Sequence, residues 1–546
     1  MLIEISCDKF ESCGKPRPPI VFRKGLNTVL GDSEGTNSIG KSTLLLIIDF
    51  AFGGTDYAKS DAVRHISTHT VNFKYEFDGK PYYFSRSTLT HDRVNICDES
   101  YNVIGTPITI NKFNEMLYGL YNLDLPGMTF RNAVGRYIRV YGRENLLEKK
   151  PLLYVARESD ENGITALIKL FGKYGRFEEL KALEKERIEK REAFKVAMKF
   201  DFVPANITSK KKFDENVKQI AELKDELDTL TKQTDKKLSE EDLQQADIAS
   251  ELKGKLAYAR RQRTRLKSQL RAMEMNMEQG VVLTECDLTD LLKFFPQTDV
   301  KAIGEIENFH TKMKDVLAAE FEEEKQRIAG LIESADVEIA ALESKQSSLG
   351  VPAKLPKAFL DKYSELSGRI RGLENQNEAY DQSKELKSDV DKVAAQLVDV
   401  EEQELRFLQN DINTKMANIN DFIYNDKAHK PPILDLKSIK SYVFETPDDT
   451  GTGTSFKSLV VFDVTVLDLT PLPALVHDSP ILKNIGDAPV ERIMELYAQS
   501  KKQVFISLDK GESYTKRTNE ILNETAVIHL SGNGNQLFGR SWNIQQ

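Results

Sequence analysis

Eight residues near the amino terminus have the types and the spacing to hold a phosphate chain. Gly35-Thr36-Asn37-Ser38-Ile39-Gly40-Lys41-Ser42 fits GxxxxGK[ST], and Thr43 follows directly. Glycines at both ends let backbone N–H groups turn toward an anion, Lys41 brings a mobile positive charge to the outer phosphates, and Ser42 offers a hydroxyl to Mg²⁺. Residues 27–30 before the loop read as a strand and residues 43–52 after it as an apolar helix, whose positive N-terminus adds to the site. That strand-loop-helix setting separates the motif from a glycine-rich turn with an exposed lysine.

Two further pieces lie near the other end. Ala474-Leu475-Val476-His477-Asp478 is an apolar strand tipped by an acid, the placement from which a carboxylate reaches Mg²⁺ through water. Alone, Asp478 would serve equally as a turn or cap residue. Earlier, Thr450-Gly451-Thr452-Gly453-Thr454-Ser455 opens a helix-like run at 456–462. Taken singly, that loop reads as a flexible Gly/Thr segment.

Two arginine groups could meet phosphates of another kind. Arg131, Arg136, Arg139 and Arg143 fall close together, the last three at helical spacing; they could contact DNA phosphates or ATP, or pair with acids in the head, and Arg136 and Arg139 are the candidates for nucleic acid. Residues 253–271 carry Lys253, Lys255, Arg260, Arg261, Arg263, Arg265, Lys267 and Arg271 with no acid among them. Such a stripe would neutralise phosphates independently of base sequence, or pair with acids of a facing helix such as Glu320 and Glu322 to Glu324.

The elements that must position these residues fall into three blocks. Strand-like and turn-rich segments dominate up to about 155, including a hairpin through Asp78-Gly79. From about 164 to 427 the chain is rich in Glu, Lys, Leu, Gln and Ala, with apolar residues in three-four spacing, as at Leu386, Val390, Val393, Leu397 and Val400. Strand signals return after about 432. The expected division is a head half at 1–160, an outgoing arm at 161–280, a turning region at 281–304, a returning arm at 305–430 and a second head half at 431–546. Gly280, Phe294, Phe295 and Pro296 mark the turn, and Pro204, Gly350, Pro352 and Pro356 interrupt the arms.

Composition excludes several classes. Among 546 residues, 29% charged with a net charge of -9, no run of about 18 apolar residues offers a membrane span. Residues 1–6 alternate like a strand and lack the pattern of a secretory signal, so a cytoplasmic protein is expected. Cys7, Cys13, Cys97 and Cys286 form no CxxC pair, which removes a zinc site and a zinc-bridged apex. The acidic total does not announce a nucleic-acid binder, although it leaves local basic patches open.

A P-loop at one end, a small-residue loop and an acid-tipped strand at the other, and a coiled coil between them resemble the SMC, RecF, RecN and SbcC group of ABC-type ATPases. The resemblance implies an α/β head assembled from both chain ends with a long antiparallel coiled coil. ATP would be held by Gly35, Asn37, Ser38, Gly40, Lys41, Ser42 and Thr43, and Mg²⁺ by Ser42 and Asp478. Two heads would form a homodimer around ATP, each site completed by Gly451, Thr452, Gly453, Thr454 and Ser455 of the other chain. His477-Asp478-Ser479-Pro480 and the tail 538–542 are similar to a bacterial branch found in three-component ABC and anti-phage systems. The implied role is an ATPase that senses DNA through residues such as Arg260, Arg261, Arg263 and Arg265 and controls a separate effector or nuclease. A repair ATPase of the RecN or RecF type and a coiled-coil scaffold with a non-hydrolysing head are the alternatives.

Two departures bear on catalysis. Ser479 stands where the group has a glutamate base, which leaves His477 or Asp487 as candidates beside Asp478. The switch histidine is also missing: Val504-Phe505-Ile506 runs into Ser507-Leu508-Asp509-Lys510, where Asp509 or Lys510 would sense phosphate or form an ordinary strand-end turn.

Overall fold

The computed structural model describes residues 1–32, 38–199, 207, 209–232, 240–277, 300–349, 357–509 and 514–542. They form two compact units, Met1–Leu183 with Val393–Gln546 and Glu184–Lys392.

The first unit is the head. Five parallel strands run in the order Ile138–Arg139, Ala474–His477, Gln503–Leu508, Leu26–Leu30 and Ala526–His529. The P-loop strand Leu26–Leu30 is therefore flanked on both sides by strands from the far end of the chain, so neither end can complete this sheet alone. Leu26–Leu30, Ala474–His477 and Gln503–Leu508 are buried along their whole length. Strands covered on both faces lose the alternation of half-buried ones, and these sequences are accordingly continuous apolar runs with few polar interruptions.

A second, antiparallel sheet orders Ile20–Val21, Leu2–Cys7, Thr70–Phe77, Lys80–Ser87, Arg93–Cys97 and Ile108–Thr109. The hairpin expected at Asp78-Gly79 is present: Phe77 pairs with Lys80, and the two turn residues have φ of 51° and 73°. Positive φ at both central positions matches the right-handed twist of the strands.

The helix Thr452–Leu469 is buried at every position from 457 to 467. A helix covered on every face belongs inside a core rather than at its edge. The helix Lys357–Tyr424 delivers Leu405, Leu408, Ile412, Met416, Ile419 and Ile423 to the head's own core. Asp160–Leu170 is likewise packed there. The head thus takes in more helix at both junctions than the division at 160 and 430 expected, because three-four spacing reports a stripe that must be covered and not what covers it.

The second unit is an antiparallel coiled coil. Lys210–Lys232 and Glu240–Met277 run out, and Val300–Leu349 and Lys357–Tyr424 return. Leu252, Leu256 and Ala259 pack with Ile339 and Leu342, and Leu223 packs with Leu366 and Ile370. Ion pairs Arg263–Asp336 at 2.9 Å, Arg260–Glu343 at 2.6 Å and Lys224–Glu374 at 2.8 Å show the returning number rising as the outgoing one falls. The expected turn markers Gly280, Phe294, Phe295 and Pro296, the breaks at Pro204, Gly350, Pro352 and Pro356, and Cys286 lie outside the described residues. Among the described residues no helix is long and apolar enough to cross a membrane, and no cluster of three His, Cys, Asp or Glu side chains could hold a metal by itself.

Candidate nucleotide site

Gly35 and Asn37 lie outside the described residues; the site begins at Ser38, whose φ is 60°, and Gly40, whose φ is 99°. Gly40 is required twice over. Its backbone is in the left-handed region, and a Cβ there would stand 2.6 Å from the Leu537 Cβ. The helix Lys41–Ala51 starts at once, so the N–H groups of its first turn have no partner within the helix. Ser38, Gly40, Lys41, Ser42 and Thr43 form one wall of a cavity of about 860 Å³, and Ser479, Pro480, Lys483 and Asn484 form another. That size accommodates a nucleotide.

The acid-tipped strand ends beside this cavity, which Ser479 lines and Asp478 does not. Asp478 is wholly buried at the end of Ala474–His477, one strand removed from the P-loop strand across Gln503–Leu508. Its Oδ1 accepts from the Ser507 hydroxyl at 2.5 Å and Ser479 N at 2.8 Å, and its Oδ2 accepts from Tyr141 N at 2.9 Å. Three donors fix the carboxylate in this orientation. Ser479 opens the short helix Ser479–Lys483 and lines the cavity with a hydroxyl, which cannot serve as a carboxylate base.

His477 cannot serve as the base either. It points into the protein, wholly buried, with Nε2 bonded to Asp463 Oδ2 at 2.8 Å and Nδ1 to the Tyr497 hydroxyl at 2.6 Å. Burial lowers its pKa below the ordinary histidine value. Strand alternation is the reason: with Asp478 at the tip, the preceding side chain faces the opposite side of the sheet. Asp487 is exposed at the start of Asp487–Gln499 and does not line the cavity.

Asp509 sits beside the site, just after Gln503–Leu508. Its carboxylate bridges the ammonium groups of Lys41 and Lys483, with the Asp509 side chain only 12% exposed. Lys510 lies outside the described residues.

Arg136 and Arg139 are corrected from nucleic-acid candidates to internal struts. Arg136 binds both Glu158 oxygens at 2.6 and 2.7 Å. Arg139 is fully buried, pairs with both oxygens of Asp463, and donates to the carbonyls of Asn145 and Pro151. Arg131 and Arg143 converge on Asp49 of the P-loop helix, at 2.8 and 3.4 Å. Sequence reasoning missed these acids. Asp463 had a signal, being a lone carboxylate in the apolar run 459–467, where burial demands a cationic partner.

The loop at 451–455 is shaped by Asp449, which accepts from Gly451 N at 3.0 Å and the Thr454 hydroxyl at 2.7 Å. Gly451 caps Thr452–Leu469, while Thr452 is exposed and Gly453, Thr454 and Ser455 are half-exposed. None of these residues lines the Lys41 cavity; Ser455 instead borders a separate hollow of about 360 Å³ with Lys150 and Tyr442. One chain therefore does not bring this loop to its own P-loop.

The basic stripe of the coiled coil is largely engaged. Arg260 and Arg263 pair across to Glu343 and Asp336, Lys253 to Asp361 at 3.7 Å, and Lys255 within its own helix to Glu251. Arg265 donates to Lys199 O and Arg261 to Ala257 O. The acids that answer the stripe are thus not Glu322 to Glu324, since the antiparallel register carries those residues past it; Glu324 pairs with Arg327 instead.

The C-terminal tail was not anticipated as part of the site. Leu537 N donates to Ile39 O at 3.0 Å, and Arg17 Nη2 ties down the carbonyls of Asn535 and Gln536.

An α/β P-loop head built from both chain ends, with an antiparallel coiled coil inserted between them, defines an ABC-type ATPase of the SMC and RecF kind. The family model described as an AAA domain matches residues 4–279, and the chain belongs to that family. Residues 419–542 match a family described as an uncharacterised protein conserved in bacteria (DUF2326). No curated protein matches the chain. Among solved structures, the chain is similar to the Smc head domain with a coiled coil and joint derived from Pyrococcus yayanosii, at 14% identity over 97% of this chain and 94% of that one, with a TM-score of 0.44. It is also similar to the Smc head domain with an extended coiled coil bound to the C-terminal domain of ScpA, derived from Pyrococcus furiosus, at 12% identity over 97% and 92%, with a TM-score of 0.37.

Proposed function

We propose that this chain binds Mg²⁺-ATP in the Lys41 cavity and dimerises through it, the 451–455 loop of a second copy closing over the γ-phosphate. The carrying observation is that the Lys41 cavity lacks the loop that the resemblance assigns to it, while that loop is preformed elsewhere on the same head. Bound Mg²⁺ would neutralise the phosphates, with the Ser42 hydroxyl as ligand and Asp478 as the acceptor for its waters. Ser479 makes turnover slow, so nucleotide binding is the main signal. The head passes that signal to the coiled coil and on to a separate effector, in contact with DNA and in defence against phage.

Ser479→Glu restores a carboxylate at the cavity wall and is expected to raise ATP turnover about a hundredfold, in line with the effect of a positioned base. Phosphate release and ATP-dependent sedimentation read the two halves of the proposal. Absence of turnover in both proteins, with no dimer in ATP, would leave the second reading, a scaffold with a non-hydrolysing head, which the hydroxyl of Ser479 favours.

The DNA contact is assigned to the stripe at Arg260 and Arg263, whose side chains remain 54% and 34% exposed beside their partner acids. Reversing both to glutamate is expected to weaken duplex DNA binding at least tenfold at low salt and to flatten its salt dependence. Unchanged mobility shifts would take DNA out of the proposal.

A further inference from the structure

The tail that ends the described chain is built into the packing of the P-loop. Leu537 N bonds to Ile39 O, and the Leu537 side chain fills the space against Gly40. Five residues on, Trp542 lines the same cavity as Gly40 and Lys41. It is the only tryptophan of the sequence and is half-buried. Its ring lies nearly parallel to His65, with centroids 5.6 Å apart and planes 11° apart, and Phe538 braces it at 6.2 Å. Arg540 donates to the His65 carbonyl at 3.2 Å, tying the tail to the segment that carries the histidine.

An indole clamped in this way holds one orientation and keeps apolar ring surface at a cavity lined otherwise mostly by polar and charged residues. A triphosphate anchored at Lys41 carries a flat heteroaromatic base that gains most from such a surface, since base-aromatic stacking depends on the π-face rather than on particular hydrogen bonds. We propose that Trp542 is the platform for the nucleobase, making the tail a specificity element of the site; this rests on the nucleotide reading above. Stacking without hydrogen-bond readout favours purine over pyrimidine triphosphates through ring area and discriminates weakly between ATP and GTP.

The test is calorimetry with ATP, CTP and inorganic triphosphate, each with Mg²⁺, on the full chain. Trp542→Ala is expected to bind ATP about tenfold more weakly and inorganic triphosphate unchanged, while Trp542→Phe stays within about twofold of the parent for ATP. In the parent, ATP should quench the single tryptophan's fluorescence and inorganic triphosphate should not. Equal ATP affinity in Trp542→Ala overturns the inference and leaves the nucleotide site intact. Equal loss of ATP and triphosphate also overturns it, because Trp542 would then only brace the loop. A parent that binds neither ligand fails the nucleotide reading itself.

Discussion

Asp463→Ala is expected to destabilise the head by about 3–5 kcal/mol, the cost of removing one partner from a buried ion pair. Arg139 is fully buried, and without Asp463 its charge would be faced by the Asn145 and Pro151 carbonyls, which stabilise a cation less than a carboxylate does. His477 would lose its Nε2 partner at the same time. Asp463→Asn keeps the volume and one acceptor and should cost less than the alanine. Thermal unfolding of the three proteins ranks them; a loss under about 1 kcal/mol for the alanine, the level of an exposed pair, would sink the argument.

The same cluster sets a pH dependence. Burial opposes the charge on Asp463, but Arg139 and His477 outweigh it and hold the carboxyl below the ordinary range. A carboxyl whose folded pKa lies below its unfolded one contributes fully above the unfolded value, about 4, and loses that contribution as pH falls toward the folded pKa. Burial lowers the pKa of His477, so unfolding takes up a proton there below about 6.5, and stability again falls toward acid. The Tm gap between the parent and Asp463→Ala should therefore not narrow between pH 7 and about 4, and should close only as the pH is lowered below about 4.

The parts of this head that were readable in advance are those with a local cause. The P-loop helix, the hairpin at Asp78-Gly79 and the strand before Asp478 each follow from neighbouring residues, through glycine's freedom at positive φ, turn chemistry or an apolar run. The partners of Arg136 and Arg139 were not readable. Arg139 meets Asp463 across 324 positions of sequence, and only the parallel sheet that joins both chain ends brings them together. The fate of His477 depended on which face of its strand looked at the cavity, which the residue order alone does not fix. The bracing of the P-loop by Leu537 and the capture of Lys41 by Asp509 belong to the same kind of long-range event, decided by topology after the local elements exist.

That capture shapes the second large effect. Lys41→Ala should weaken ATP binding by about 30- to 150-fold, corresponding to the roughly 2–3 kcal/mol of hydrogen bonds to a charged group. The ammonium does not wait unengaged: it pairs with Asp509, and the two side chains are only 8% and 12% exposed. Phosphate must therefore draw Lys41 away from a carboxylate that low exposure screens poorly, while Lys483 remains to hold Asp509. Asp509→Asn removes the competing charge and is expected to tighten ATP binding several-fold, a gain that should vanish in the double variant with Lys41→Ala, because the competition acts only through the lysine. Titration calorimetry across the four proteins closes the cycle. Weaker binding by Asp509→Asn would mean that the carboxylate positions Lys41 for phosphate instead of competing with it, and Asp509 would then be part of the phosphate-binding machinery.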